Sequence, residues 1–318
     1  MTQTQIMEDS FALSGTLRDR SKRLIQFGLW IVAWSIPFAR PLQSLIHSCL
    51  ENDNASHILL IPFISAWVLY LERQTAFRRV FYDFPVAVFF LVLAAGLYGW
   101  TFRFKAYWSE NNALTGYILA LLLLWIAGFA LFFGRAAVNT ARFSLLLLLL
   151  AVPLPDFVLN RLILYLQEGS AAVTAFLFDL TGVPVLRTGF VFHLSRFNIE
   201  IAKECSGIRS SMALLILVLL VAHFHLRSFW KKVLFLACGL FMTILKNGIR
   251  IVSLTLLGMY VDPGFLYGKL HHQGGIIFFI ISLLLLAPLL RLLQRGEALP
   301  PKDTHVAPVQ SPNNLPSA

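Results

Sequence analysis

The chain has 318 residues, 58% of them hydrophobic and 13% charged, against roughly 25% charged in soluble domains. A mean hydropathy of +0.72, with apolar runs of bilayer length recurring along most of the sequence, excludes a soluble globular class and reads as a polytopic membrane protein. The net charge of +10 does not point to nucleic acid, because Lys and Arg cluster in short segments between the apolar runs, the pattern that the positive-inside rule produces.

No water is available in the hydrocarbon to satisfy backbone groups, and the runs do not alternate as barrel strands do, so the expected fold is all-α. About eight spans are expected. They cover Leu24–Phe38, Ile58–Leu71, Phe84–Phe102, Leu114–Phe133, Phe143–Leu154, Ile208–Phe224, Val233–Val261 and Gly275–Leu290. Several fall short of the roughly 20 residues a span requires, so flanking residues contribute or the helices are shielded by protein. Residues 24–292 then form one integral membrane domain, between a polar cytoplasmic tail at 1–23 and a proline-bearing, disordered cytoplasmic tail at 293–318. The basic patch Arg18, Arg20, Lys22 and Arg23 precedes the first run, and no small-residue cleavage site follows before Arg40, so this start reads as a retained signal anchor.

Loop charge sets the expected orientation. Arg73, Arg78 and Arg79 fall between the second and third runs, and Arg135 and Arg142 between the fourth and fifth. Arg227, Lys231 and Lys232 fall between the sixth and seventh, and Arg291 and Arg295 follow the last. All share one side with the N-terminal basic patch, which places both termini in the cytoplasm.

The longest outward excursion is then Asp156–Glu204. Its first part, Phe157–Leu180, mixes apolar residues with Asn160, Arg161, Gln167, Glu168 and Asp179, as a helix lying on or dipping into the membrane does. Beyond Gly182-Val183-Pro184, the stretches Val191–Ser195 and Ile199–Ala202 alternate about Arg196-Phe197-Asn198. That pattern predicts a small extracytoplasmic β-hairpin just before Cys205. Its edge is suited to holding an extended peptide, or serves as a plain structural cap.

Three cysteines, Cys49, Cys205 and Cys238, supply no disulfide framework, and without a CxxC pair no metal site is expected. Cys49 and Cys238 lie in apolar sequence and read as small hydrophobes. Cys205 opens the sixth span, followed by Ser206 and Gly207. Unpaired backbone N–H groups at a helix start favour the thiolate, which is the nucleophilic form. Arg250 stands well inside an apolar segment, about 11 residues before Asp262, or about 17 Å along a helix. Asn247 shares its face, and so does Lys246 at i+4 spacing. Such an arginine is a snorkelling or packing charge, or a cation for a substrate carboxylate or an acyl-transfer oxyanion. His271 and His272 stand at the threshold of the last span, before Gly274 and Gly275. They are interfacial polar anchors, or a general base and acid for a neighbouring thiol. Together the three points suggest thiol acyl transfer at the outer membrane face. A transporter with an intramembrane anion or proton path, or a membrane assembly protein without chemistry, are the competing classes.

These residues resemble the signatures of the exosortase/archaeosortase family. Cys205-Ser206-Gly207-Ile208, Asn247-x-x-Arg250 and His271-x-x-Gly274-Gly275 occur in the family's order. Ser56-His57 with Pro62 and Ile64-Ser65 looks like a further family pattern, as does Val152-Pro153-Leu154-Pro155. The resemblance covers roughly residues 25 to 292, and histidine at the third position favours the exosortase branch.

The resemblance implies a membrane cysteine protease or transpeptidase that needs no cofactor. Its partners would be exported proteins with C-terminal sorting signals of the PEP-CTERM kind: a short motif, a transmembrane helix and a basic tail. The processed protein would pass to a membrane-lipid or surface-polysaccharide acceptor. Cys205 would be the nucleophile, Arg250 the transition-state or substrate stabiliser, and His271 the general base and acid, with His272 as its alternate. Asn247, Ser206, Gly207 and His57 would support them. The implied location is a bacterial inner membrane, with the active site near the outer leaflet.

Overall fold

The computed structural model describes residues 3–51, 53–78, 80–202, 208–267 and 275–295. Its long elements are helices, as the apolar runs require. Helix α1 (Gln3–Ser35) takes in most of the polar N-terminal segment together with the first apolar run. Helix α2 (Ala39–Glu51) and a 3-10 turn (Asp53–Leu59) lead to α3 (Ile61–Leu71) and the single turn α4 (Arg73–Ala76). Helix α5 (Phe84–Phe104) is N-capped by Asp83, which accepts from the Val86 N–H at 3.3 Å, and Pro85 fits its first turn. Helix α6 (Glu110–Thr140) is capped by Ser109, at 3.1 Å from the Asn112 N–H. It breaks at Gly134, whose φ of 82° lies in the left-handed region that glycine enters without steric cost.

Helix α7 (Arg142–Leu147) and a 3-10 turn (Leu148–Ala151) precede Val152–Pro155, where the chain bends through 89° into α8 (Asp156–Thr181). Proline 155 lacks the N–H that a continuing helix needs, so the bend falls there. Helix α8 ends on Gly182, at φ 69°. Three short strands follow: β1 (Leu186–Thr188), β2 (Val191–His193) and β3 (Asn198–Glu200). They pair antiparallel in the order β1-β2-β3. The stretch read from sequence as a hairpin thus holds β2 and β3, with a strand ahead of them. Helices α9 (Ile208–His225), α10 (Phe229–Tyr260), α11 (Gly264–Tyr267) and α12 (Gly275–Gln294) complete the order.

The protein is an all-α polytopic membrane protein. Among the described residues, five helices are long and apolar enough to cross a bilayer: α5, α6, α9, α10 and α12. The bent α7–α8 pair makes a sixth if it is one broken span. Helix α1 misses that standard because Asp19, Arg20, Lys22 and Arg23 adjoin its apolar part. Helix α3 has 11 residues, about 17 Å at the helical rise and short of the roughly 30 Å hydrocarbon core. The short apolar segments pack on one another by one face only and leave Phe63, Trp67, Tyr70 and Leu146 exposed. The Ser65 hydroxyl of α3 donates to the Ser144 carbonyl of α7 at 2.7 Å, with both residues buried.

The basic segments gather at one end. Arg20 donates to the Phe77 carbonyl, and Arg23 to the Phe132 carbonyl at 3.0 Å. The Arg135 N–H reaches Asp83 at 3.2 Å. His223 at the end of α9 pairs with Glu72 after α3 at 2.7 Å and stacks on Phe143, with ring centroids 3.7 Å apart. Lys231 at the start of α10 donates to the Leu293 carbonyl near the end of α12 at 2.6 Å. The opposite end holds the starts of α9 and α12, the far end of α10 and the sheet.

Candidate active site

Helix α10 is the axis of the site. A β-carbon at Gly239 would lie 2.9 Å from Val218 of α9, so the two helices touch there backbone to side chain. Two turns further along α10, Lys246 donates to the Ser210 hydroxyl in the first turn of α9. The pair therefore runs antiparallel, and Ile208 at the start of α9 stands beside the Lys246–Arg250 turn. On the other flank, Lys231 bonds to Leu293, and Phe235, Cys238 and Met242 share a cluster with Leu286, Leu283 and Phe279, as two antiparallel helices packed along their length do. From Lys231 to Arg250 is about 29 Å along α10, and from Leu293 back to Gly275 about 27 Å along α12. Arg250, the start of α9 and the start of α12 therefore share one level of the bundle.

Along the chain, the candidate residues adjoin these helix starts. Cys205 precedes Ile208 by one short segment, and His271 precedes Gly275 by another. Cys205, Ser206, Gly207, His271 and His272 themselves lie outside the described residues. Arg250 is half-buried on α10, while Lys246 and Asn247 are buried, at 6% and 3% exposure. Taking a cation into an apolar span costs about 3 kcal/mol or more unless a polar setting receives it. Here hydroxyl and amide groups from neighbouring helices line the same region.

Helix α8 supplies much of that setting. The Asn247 amide donates to the Ser170 hydroxyl at 2.9 Å, between two buried side chains. The approach is close because the contact is built from small residues. A β-carbon at Gly169 would lie 2.9 Å from Ile244, and one at Gly248 would lie 2.4 Å from Val173. One turn earlier on α8, Gln167 donates to the Ile201 carbonyl at 2.9 Å. That bond ties the chain leaving β3, on its way to Cys205, to α8. The sequence showed Asn247 and Lys246 on one face with Arg250, but not their partners Ser170 and Ser210, nor Gln167. The one local signal was the run of small residues Gly169-Ser170-Ala171 with Thr174, a pattern of close helix contact.

His57 comes to the start of α9 from the other half of the molecule. It sits in the 3-10 turn before α3 and lines a cavity with Asn111, Pro153, Leu159, Ile208 and Met212. The Val152–Pro155 bend forms one wall of that cavity. Asn111 secures the bend by donating to the Leu154 carbonyl and to Asp156, both at 2.8 Å. The Ser56-His57 and Val152–Pro155 motifs thus flank the start of α9.

The other two cysteines are packed among apolar side chains, Cys49 behind the His57 cavity with Leu45, Ile58 and Val152. Cys49 is buried at 4% exposure in α2, and burial pushes its thiol above the usual range, which disfavours a thiolate at neutral pH. Cys238 packs in the cluster of α9, α10 and α12 toward the basic end. Among the described residues, no group of three or more His, Cys, Asp or Glu side chains is placed to hold a metal ion.

A family model described as a transmembrane exosortase matches residues 49–288. No curated protein and no solved structure matches the chain.

Proposed function

Because the chain belongs to the transmembrane exosortase family, a family of membrane cysteine transpeptidases, we propose that it cleaves C-terminal sorting signals of exported proteins and transfers the processed proteins to an acceptor. The observation that carries the reading is the span of the family match, which encloses Cys205, Asn247-x-x-Arg250 and His271. The common level of Arg250 with the starts of α9 and α12 supports the convergence of the three.

In this reading the Cys205 thiol passes its proton to His271, with His272 as the alternate, and the sulfur attacks the carbonyl carbon at the sorting signal. Arg250 donates to the oxyanion that forms. As the C–N bond breaks, the histidine returns the proton to the leaving amine nitrogen, and a thioester remains on Cys205. A nucleophilic group of the acceptor, or water, then gives its proton to the histidine and displaces the thiolate. Ser206 and Gly207 lead into the positive end of α9, while Asn247 and His57 line the approach. Substrates have a short motif of the Pro-Glu-Pro kind, a transmembrane helix and a basic tail. The acceptor is a membrane lipid or a surface polysaccharide. The basic end faces the cytoplasm of a bacterial inner membrane, both termini lie inside, and the site faces the outer leaflet.

Co-expression with a tagged protein carrying such a C-terminus tests this. Wild type shortens the substrate and leaves a new C-terminus beside the motif, read by mass spectrometry. Cys205→Ala inserts normally and leaves the substrate full length. Equal processing by the two would remove the proposal.

A further inference from the structure

The three-stranded sheet has two outer edges, and they are not equivalent. In an antiparallel ladder, opposed residues alternate between pairs that exchange hydrogen bonds and pairs whose N–H and C=O groups point away. Ile201 N–H donates to the Phe190 carbonyl at 3.0 Å, and Leu194 N–H to the Phe197 carbonyl at 3.1 Å. These bonds bracket the Phe192–Ile199 pair, so by alternation that pair is bonded. The Val191–Glu200 and His193–Asn198 pairs are then the open ones. The backbone N–H and C=O groups of both Asn198 and Glu200 consequently point away from β2. Both residues are exposed. Among the described residues, no strand lies on that side of β3, and no backbone hydrogen bond reaches those groups. On the β1 edge the same alternation turns only Arg187 outward, because Leu186 and Thr188 bond to β2.

The open β3 edge is held rigidly. Phe192, Leu194 and Ile201 pack with Ala171 and Phe178 of α8 and with Val252 and Met259 of α10. Arg196 donates to the Met259 carbonyl at 3.0 Å, and Gln167 holds Ile201. An edge strand with unpaired groups is a template for a further strand. We propose that this edge is the docking strand for the polypeptide to be processed, which adds in extended form as a fourth strand along β3. The proposal rests on the transpeptidase reading and gives it a substrate-binding element.

Two observations favour a substrate polypeptide over a second copy of the chain. Glu200 is joined to Cys205 by a short run of chain, at most about 17 Å when extended. A strand laid on β3 is thereby kept within that reach of the thiol. The edge is also only three residues long, far too small for the roughly 1,000 Å² that a stable homodimer buries. Alternate side chains of the added strand fall beside Ile199, on the face packed against α8 and α10, and beside Asn198 and Glu200 on the exposed face. The polypeptide is therefore recognised mainly through its extended backbone, with side-chain selection at alternate positions.

The test uses the full-length enzyme in membranes with the tagged substrate. Glu200→Pro removes one outward N–H and no ladder bond. Arg187→Pro removes the outward N–H of the β1 edge, together with the Arg187 side-chain bond to the Gly189 carbonyl, and Glu200→Ala removes only the side chain. Loss of one backbone bond predicts processing at limiting substrate about fivefold to tenfold slower for Glu200→Pro. Arg187→Pro and Glu200→Ala should stay within about twofold of wild type. A photo-crosslinking amino acid at position 198 should capture the substrate, and one at position 187 should not. Equal rates for Glu200→Pro and Glu200→Ala, equal capture from both positions, or capture of a second enzyme copy from 198 would overturn the docking strand. Capture at 198 of a substrate that Cys205 never cuts would sink the transpeptidase reading and leave the docking strand standing.

Discussion

Gly248 shows how much of the site depends on a missing side chain. Val173 is β-branched and has one strongly preferred rotamer in a helix, so it does not swing aside. A β-carbon at Gly248 would lie 2.4 Å from its Cγ1 and 2.8 Å from its Cβ. Gly248→Ala should therefore push α8 from α10, stretch the Asn247–Ser170 bond and cost about 1–3 kcal/mol. The melting temperature of the purified protein in detergent checks this. Gly96→Ala on α5 is the control, because nothing lies within 4 Å of its added carbon, and alanine there should be neutral or stabilising. An equal fall for both variants would contradict the close-contact account. At this scale the sequence exposed the unusual residues themselves, since Arg250, Lys246 and Asn247 stand out in an apolar run. Their partners did not stand out. Ser170 and Ser210 are ordinary residues whose role exists only once α8 and α9 are packed on α10.

At the scale of elements, continuous apolar runs were readable and broken ones were not. The long runs of α5, α6, α9, α10 and α12 keep their helical bonding across bilayer length, so hydropathy alone marks them. The second and fifth expected spans correspond instead to the 11-residue α3 and to α7 with its 3-10 turn. Pairing between the two, through Ser65 and Ser144, is a long-range property that no sequence window contains. The mixed composition of Phe157–Leu180 suggested a helix lying on or dipping into the membrane. The structure has helix α8 there, turned by 89° from the helical segment before it, as a broken span or a re-entrant segment would be. Alternation at Val191–Ser195 and Ile199–Ala202 marked the strand region. It gave no sign of β1, where Leu186-Arg187-Thr188 is exposed throughout and has no buried face to pattern.

For the whole molecule, the arrangement is a bundle with two unlike ends. Arg20, Arg23, Arg135, Lys231 and the Glu72–His223 pair gather at one end, and the starts of α9 and α12 with the sheet lie at the other. The positive-inside rule predicts that the two ends face opposite sides of the membrane. Single cysteines placed at Ser228 and at Ser195, in a background lacking the native ones, test this with an impermeant thiol reagent. Ser195→Cys should label from outside intact membrane vesicles of native orientation, and Ser228→Cys only after permeabilisation. Labelling of both from one side would contradict the topology.

The account's central claim is that Cys205 carries the transferred polypeptide as a thioester. The most direct test is to trap that adduct by rapid acid quench during processing of a sorting-signal substrate, then map it by peptide mass spectrometry. The account predicts substrate polypeptide linked to the peptide containing Cys205 and released by hydroxylamine. The peptides containing Cys49, buried with its thiol held protonated, and Cys238 should stay unmodified. Substrate that is cut while Cys205 stays unmodified throughout turnover would contradict it.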